Sequence, residues 1–123
     1  MRRIRSQDTF PEMVVRRMVH GMGFRYRLHA SSLPGKPDIV FPGLKSVIEV
    51  RGCFWHQHSG CIDAHIPVSR VEYWGPKLAR NQIRDQKNAR QLRRLGWRIC
   101  IIWECETKNT AKLSRRITRF LEA

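Results

Sequence analysis

Apolar residues recur at helical spacing in three stretches of the chain, and alternate or run together in four others. Thr9 followed by Glu12 forms a T-x-x-E capping box, with Pro11 tolerated in the first turn, so a helix begins here. Phe10, Val14, Met18 and Met22 supply its stripe, Arg16 and Arg17 flank it, and Gly21 and Gly23 stop it near His20. "FRYRLHA" then alternates Tyr26 and Leu28 with Arg25, Arg27 and His29, as a half-buried strand does. After the turn "SSLPGKP" come two short strands, "DIVFP" and "KSVIEV", separated by Pro42-Gly43. Residues 52 to 76 read as irregular. A long helix follows over 77–95, with Leu78, Ala79, Ile83, Ala89, Leu92 and Leu95 on one side and Gly96 ending it. "WRICIIW" reads as a fully buried strand, and "NTAKLSRRITRFLEA" as a helix on Leu113, Ile117, Phe120 and Leu121. The order α-β-β-β-α-β-α predicts an α/β fold with a mixed sheet and helices on its faces.

The size, 123 residues, fits a single domain, and 41% hydrophobic content fills a core. Charge changes the picture. Lys and Arg number 24 against 10 Asp and Glu, a formal net charge of +14, which predicts a polyanionic partner, nucleic acid first. Lys77, Arg80, Arg84, Lys87, Arg90 and Arg94 concentrate that charge on the long helix. The start "MRRIRSQDTF" has no apolar run behind it, and no segment is long enough to span a bilayer, so the expected location is cytoplasmic. In a reducing compartment the cysteines are metal ligands or core residues rather than disulfides.

Two constellations carry chemistry. Cys53, His58 and Cys61 read C-x4-H-x2-C, and Cys105 follows the last strand, a set that suits tetrahedral structural zinc. Free thiols and a surface histidine are the plainer alternative, and Cys100 fits a small core residue. His56 stays free for chemistry if His58 binds metal. The second constellation is Asp38, opening a strand, with Glu49 and Arg51 two apart on one face of the next. "PD" with "EVR" is similar to the PD-(D/E)-x-K signature of metal-dependent nucleases, in which converging carboxylates hold Mg²⁺. Each member also has an ordinary explanation: a turn for Asp38, the cap for Glu12, an ion pair for Glu49 and Arg51.

"RSQDTFPE", "SLPGKPDIVFP", "GCFWHQHSGC" and "RVEYWGPKLARNQIRDQKNARQLRRLGWRICIIWEC" together resemble the very-short-patch repair (Vsr) mismatch endonucleases, from about Arg2 to Lys108. The resemblance implies a restriction-endonuclease-like core (αβββαβ) with a zinc-braced loop and a C-terminal helix. It implies nicking of one strand of duplex DNA beside a T:G mismatch, the product of 5-methylcytosine deamination. Asp38 is then the Mg²⁺ ligand, with the Val50 carbonyl; His56 is the general base or proton shuttle, supported by Glu12; Cys53, His58, Cys61 and Cys105 hold Zn²⁺. Phe54 and Trp55, with Trp74, become rings that wedge between bases, which a mispair makes cheaper. Lys77, Arg80 and Arg84 bind the DNA backbone. Mismatch-repair proteins are candidate partners, no membrane is involved, and a monomer is expected.

The chain departs from the family pattern at two places. Where the family often has a threonine and a histidine before "GCFWH", this sequence has Val50 and Arg51, preceded by Glu49. Arg51 stays protonated and cannot be a base, which leaves it clamping a phosphate, and Glu49 becomes a candidate for the metal shell. The basic arm before "RIRS" is also short, which predicts a weaker grip on DNA. Two alternatives stay open: a PD-(D/E)-x-K nuclease with another target, restriction or branched DNA, and a non-catalytic zinc module that only binds DNA.

Overall fold

A computed structural model describes residues 8–123; the basic arm lies within 1–7, outside the described residues. The first helix, α1, runs Phe10–Gly21. Thr9 Oγ1 accepts the Glu12 N–H at 3.4 Å, while the Glu12 carboxylate accepts from Asp8 N–H at 2.9 Å rather than from Thr9, so the box closes one residue earlier than expected. The inward stripe also differs from the expected one. Glu12, Val15 and Val19 are buried, and Phe10 is 76% exposed. A strict four-residue spacing drifts around a helix of about 3.6 residues per turn, so Phe10 leaves the face that Met18 and Met22 border.

One mixed sheet follows, in the order β1 (Arg27–Leu28), β2 (Ile39–Phe41), β3 (Ser46–Arg51), β4 (Arg98–Trp103). β1–β2 and β2–β3 are antiparallel and β3–β4 parallel, with the crossover through helix α2, Val71–Arg94. The half-buried strand expected over 24–30 shrinks to two exposed residues at the sheet edge. His29, at φ +49°, turns the chain out of it. Within β4 only Cys100 and Ile102 are buried, so it is half covered rather than fully buried.

Helix α2 begins six residues earlier than the sequence predicts, and Pro76 lies inside it. Leu78, Ala89 and Leu92 are its buried positions, whereas Ile83 (64%) and Leu95 (55%) are exposed along with Ala79. Helix α3, Thr110–Glu122, buries Leu113, Ile117 and Leu121 as expected, with Asn109 accepting the Lys112 N–H as its cap.

The two sheet faces are unequal. α1 and α3 cover one with ten buried residues, among them Val15, Phe41, Ile48, Ile102 and Ile117, while the α2 side buries Val40, Val47 and Leu92. Since a fully buried aliphatic contributes about 1.5–3 kcal/mol, the α1/α3 side holds the fold together and the α2 side has room for polar work. Among the described residues no helix is long and apolar enough to cross a membrane.

Candidate active site and metal centre

Asp38 stands just before β2, opposite the C-terminal half of β3, and its Oδ2 accepts the Val50 N–H at 2.7 Å. Burial drives its pKa up to about 8; the Val50 hydrogen bond opposes this, and the nearby Glu12 and Glu49 carboxyls add to it. Among the described residues no ion pair reaches Asp38, although Glu12 pairs with Arg16 and His29, and Glu49 with Arg51. A buried carboxyl crowded by two others fits a divalent cation, which supplies the missing positive charge.

Asp38, Glu49, Val50, Arg51 and His56 line one cleft of about 310 Å³, closed on the far side by Asp85 and Asn88 of α2. His56 Nδ1 lies 2.6 Å from Asp85 Oδ2. A carboxylate there accepts from Nδ1–H and leaves Nε2 as the basic nitrogen of the neutral ring. The family resemblance implied that Glu12 supports His56; in the structure the carboxylate on the His56 ring is that of Asp85, and Glu12 meets His29 instead. Glu12 is 2% exposed and bonds Arg16 (2.8 Å) and His29 Nε2 (3.1 Å), beside Asp38. Asp8, Glu12 and His29 also gather, but Arg16 sits on both carboxylates of that trio, which makes it a brace rather than a cation site.

The loop that carries His56 is held by α2 on one side and by its own turn on the other. Asn81 of α2 donates to the Trp55 carbonyl at 3.2 Å, and His58 N–H to the Cys53 carbonyl at 2.9 Å. The opposite wall, the Leu33–Lys36 turn, presses on α2: a Cβ on Gly35 (φ +75°) would fall 2.9 Å from the Asn88 side chain. Only glycine fits both that dihedral and that approach.

Cys53, His58, Cys61 and Cys105 bring their ligand atoms within 4.8 Å of one another. His58 Nδ1 lies 3.7 Å from Cys53 Sγ and 3.5 Å from Cys105 Sγ. Bond lengths of about 2.3 Å to sulfur and 2.05 Å to nitrogen give a tetrahedral N–S edge of about 3.6 Å, so both His58 distances fit a shared zinc. The Cys53 thiol is pushed up to about 12 by burial, with Cys105 and Cys61 side chains adding to it, and Cys105 is raised by burial, with Cys61 and Glu106 adding to it against an opposing hydrogen bond from Cys53. Thiolates at this spot need a cation. Cys100 is a core residue, as expected.

Phe54, Trp55 and Trp74 form a triangle with ring centroids 5.2–5.4 Å apart, each ring edge-on to the next and half-buried. Trp74 reaches it because α2 starts early. The triangle borders a second, more apolar cleft whose walls include Glu12, Asp38, Trp55 and His56. Along α2 beyond it, Lys77, Arg80 and Arg84 are exposed, with Lys77 Nζ 4.5 Å over the Tyr73 ring.

A mixed sheet with an acidic, histidine-bearing cleft at one strand end, faced by a basic helix, defines a nuclease of the restriction-endonuclease-like class. The catalytic domain of the homing endonuclease I-Bth0305I superposes with a TM-score of 0.56 at 22% identity, covering 92% of this chain and 94% of that one, which supports the fold. Residues 1–62 match the family model of the DNA mismatch endonuclease Vsr. A type II nicking enzyme, V.XorIIP of Xanthomonas oryzae pv. oryzae, is 44% identical over 99% of this chain and 89% of its own length. The DNA mismatch endonuclease Vsr of Escherichia coli is 39% identical over 93% of this chain and 72% of its own. The chain belongs to the Vsr family of DNA endonucleases.

Proposed function

We propose that the chain nicks one strand of duplex DNA beside a T:G mismatch, as a first step in very-short-patch repair of deaminated 5-methylcytosine. The observation that carries this reading is His56, backed by Asp85 at 2.6 Å, in the same cleft as the buried Asp38 carboxyl. Its relatives, a mismatch endonuclease and a nicking enzyme, support single-strand cleavage and a mispaired target.

Asp38 and the Val50 carbonyl would hold Mg²⁺, which when bound polarises a phosphate oxygen and lowers the pKa of bound water. His56 Nε2 takes the proton of the attacking water as its oxygen bonds to phosphorus. The bridging P–O bond breaks, and solvent protonates the leaving alkoxide. Asp85 holds the ring in the required tautomer and steadies its protonated form, while Glu12 fixes the floor of the site through Arg16 and His29. Cys53, His58, Cys61 and Cys105 would hold Zn²⁺ and stiffen the loop, so that Phe54, Trp55 and Trp74 enter the stack as one block. Lys77, Arg80 and Arg84 take the phosphates, and residues 1–123 act as one endonuclease domain.

Strand nicking is measured with Mg²⁺ on T:G, fully paired and branched duplexes at one salt concentration. The reading expects cleavage of the T:G duplex alone, and its complete loss in Asp38→Ala with duplex binding retained. Equal cleavage of the paired or branched duplex would remove the mismatch assignment, and nicking by Asp38→Ala would remove the site.

A further inference from the structure

Alternation along β3 turns Val47, Glu49 and Arg51 to the α2 side of the sheet. Val47 is core; the other two put opposite charges at the cleft wall. Arg51 Nη2 donates to Glu49 Oε2 at 2.7 Å, and both side chains are 12% exposed. An ion pair this sheltered gains little stability, because desolvation offsets attraction. A second observation makes it odder still. The Arg51 Nε is buried and has no hydrogen-bond acceptor among the described residues, so the guanidinium uses only part of its fork.

The surroundings fix where that fork can go. Trp103 lies 6.0 Å from the Arg51 guanidinium and stacks on His58 at 4.2 Å with 9° between the planes. The metal centre thus backs the ring that backs the arginine. Ahead lies the Asp38 and His56 cleft, which Arg51 lines. Glu49 is a poor metal ligand in this arrangement, since a guanidinium on its oxygen repels a divalent cation.

We propose that Arg51 is a catalytic residue that turns from Glu49 onto a non-bridging oxygen of the scissile phosphate. The phosphate gives Nε its acceptor and completes a two-pronged contact, so the charge that builds on that oxygen as water attacks meets a fixed cation. Glu49 is a positioning residue: it holds the guanidinium at the cleft wall before DNA binds and releases it to the phosphate. This assignment rests on the endonuclease reading above.

Single-turnover nicking of the T:G duplex and duplex Kd are measured for the native chain, Arg51→Ala, Arg51→Lys and Glu49→Gln, each checked for zinc content and thermal unfolding. Arg51→Ala is expected to nick about 10²–10³-fold more slowly, with Kd changed no more than about threefold. Arg51→Lys restores under about a tenth of the lost rate, because an ammonium has no planar fork. Glu49→Gln slows nicking about tenfold and leaves Mg²⁺ affinity, read by calorimetry on the DNA-free protein, unchanged. Sulfur placed at the contacted oxygen slows the native chain more than it slows Arg51→Ala, a coupling that a purely structural role would not produce. Arg51→Ala nicking at the native rate, or equal sulfur effects in both proteins for both phosphorothioate isomers, overturns the assignment. So does a weakening of Mg²⁺ affinity by about tenfold or more in Glu49→Gln, the least that losing a residue of the metal's surroundings would cause. A native chain that leaves every duplex intact overturns the endonuclease reading with it; nicking by the native chain and Arg51→Ala alike overturns the arginine assignment alone.

Discussion

Asp38 is the residue whose environment most opposes its charge. Its folded pKa, raised by burial from 3.8 to about 8, means the folded state binds a proton that the unfolded state lacks between those values. Stability without added Mg²⁺ therefore falls as pH rises from about 4 to about 8. Asp38→Asn keeps an acceptor for the Val50 N–H and removes the titration. Thermal unfolding, with zinc content matched between the two proteins at each pH, should show the variant several degrees more stable than the native chain at pH 8, and no different at pH 4. An equal gain at both values would mean that the charge is not the cause. His56 gives a second test. Asp85→Asn can offer its amide N–H to Nδ1 and move the ring proton onto Nε2, where it blocks base action. Nicking should drop about 10²–10⁴-fold with duplex affinity intact. Asp38 stood out in the sequence as the acid of a "PD" pair, and Cys53, His58 and Cys61 as a short C-x4-H-x2-C pattern, whereas Cys105 lies far from that pattern and its place in the set, like the role of His56, drew on the family resemblance. Asp85 was not legible, since nothing in a helical repeat says which loop it meets. The signal was there, however: it is the lone acid within the strongly basic stretch 77–95.

Among the elements, the loop from Gly52 to Cys61 depends most on something other than its own packing. It contains no regular helix or strand, and only Cys53 within it is buried. Its rigidity must come from the Cys/His set and from the ties to α2, and one of those ligands, Cys105, enters from beyond β4. Cys105→Ser should lower bound zinc from about one equivalent to nearly none, and lower the unfolding midpoint. Zinc uptake by the metal-free native chain at neutral pH should release protons, read from the buffer dependence of the calorimetric heat, because the Cys53 and Cys105 thiols are raised. Uptake with no proton release would argue against thiolate ligation. At this scale the sequence showed element type well and boundaries poorly. Helix α3 was read correctly because Leu113, Ile117 and Leu121 share one strong face. The start of α2 was misplaced because Gly75-Pro76 looks like a break, yet here the helix carries Pro76 and brings Trp74 to the ring triangle.

Across the whole molecule, an excess of +14 charges must be reconciled with an acidic cleft, and the fold does this by separating them. The carboxyls converge at one strand end, while exposed Arg80, Arg84, Lys87, Arg90 and Arg94 step along α2 about one turn apart. This division was visible in the sequence as a basic helix beside an acid-bearing strand pair, but which sheet face it occupied required the β3–α2–β4 crossover. Basic side chains that meet phosphates release counterions, so each one contributes about 0.9 to the slope of log K against log salt. Replacing Arg80 and Arg84 together with alanine should make that slope shallower by about two, measured from about 50 to 200 mM salt. The loss in affinity should be the same for T:G and fully paired duplexes, since phosphate contacts do not read bases. Lys77 is different: its ammonium packs over Tyr73 and within 5.9 Å of Trp74, next to the rings proposed to enter the stack. Lys77→Ala should therefore weaken the T:G duplex more than the paired one. If the double arginine variant loses mismatch preference while Lys77→Ala does not, then the helix reads the mispair along its length, and the separation of grip from recognition fails.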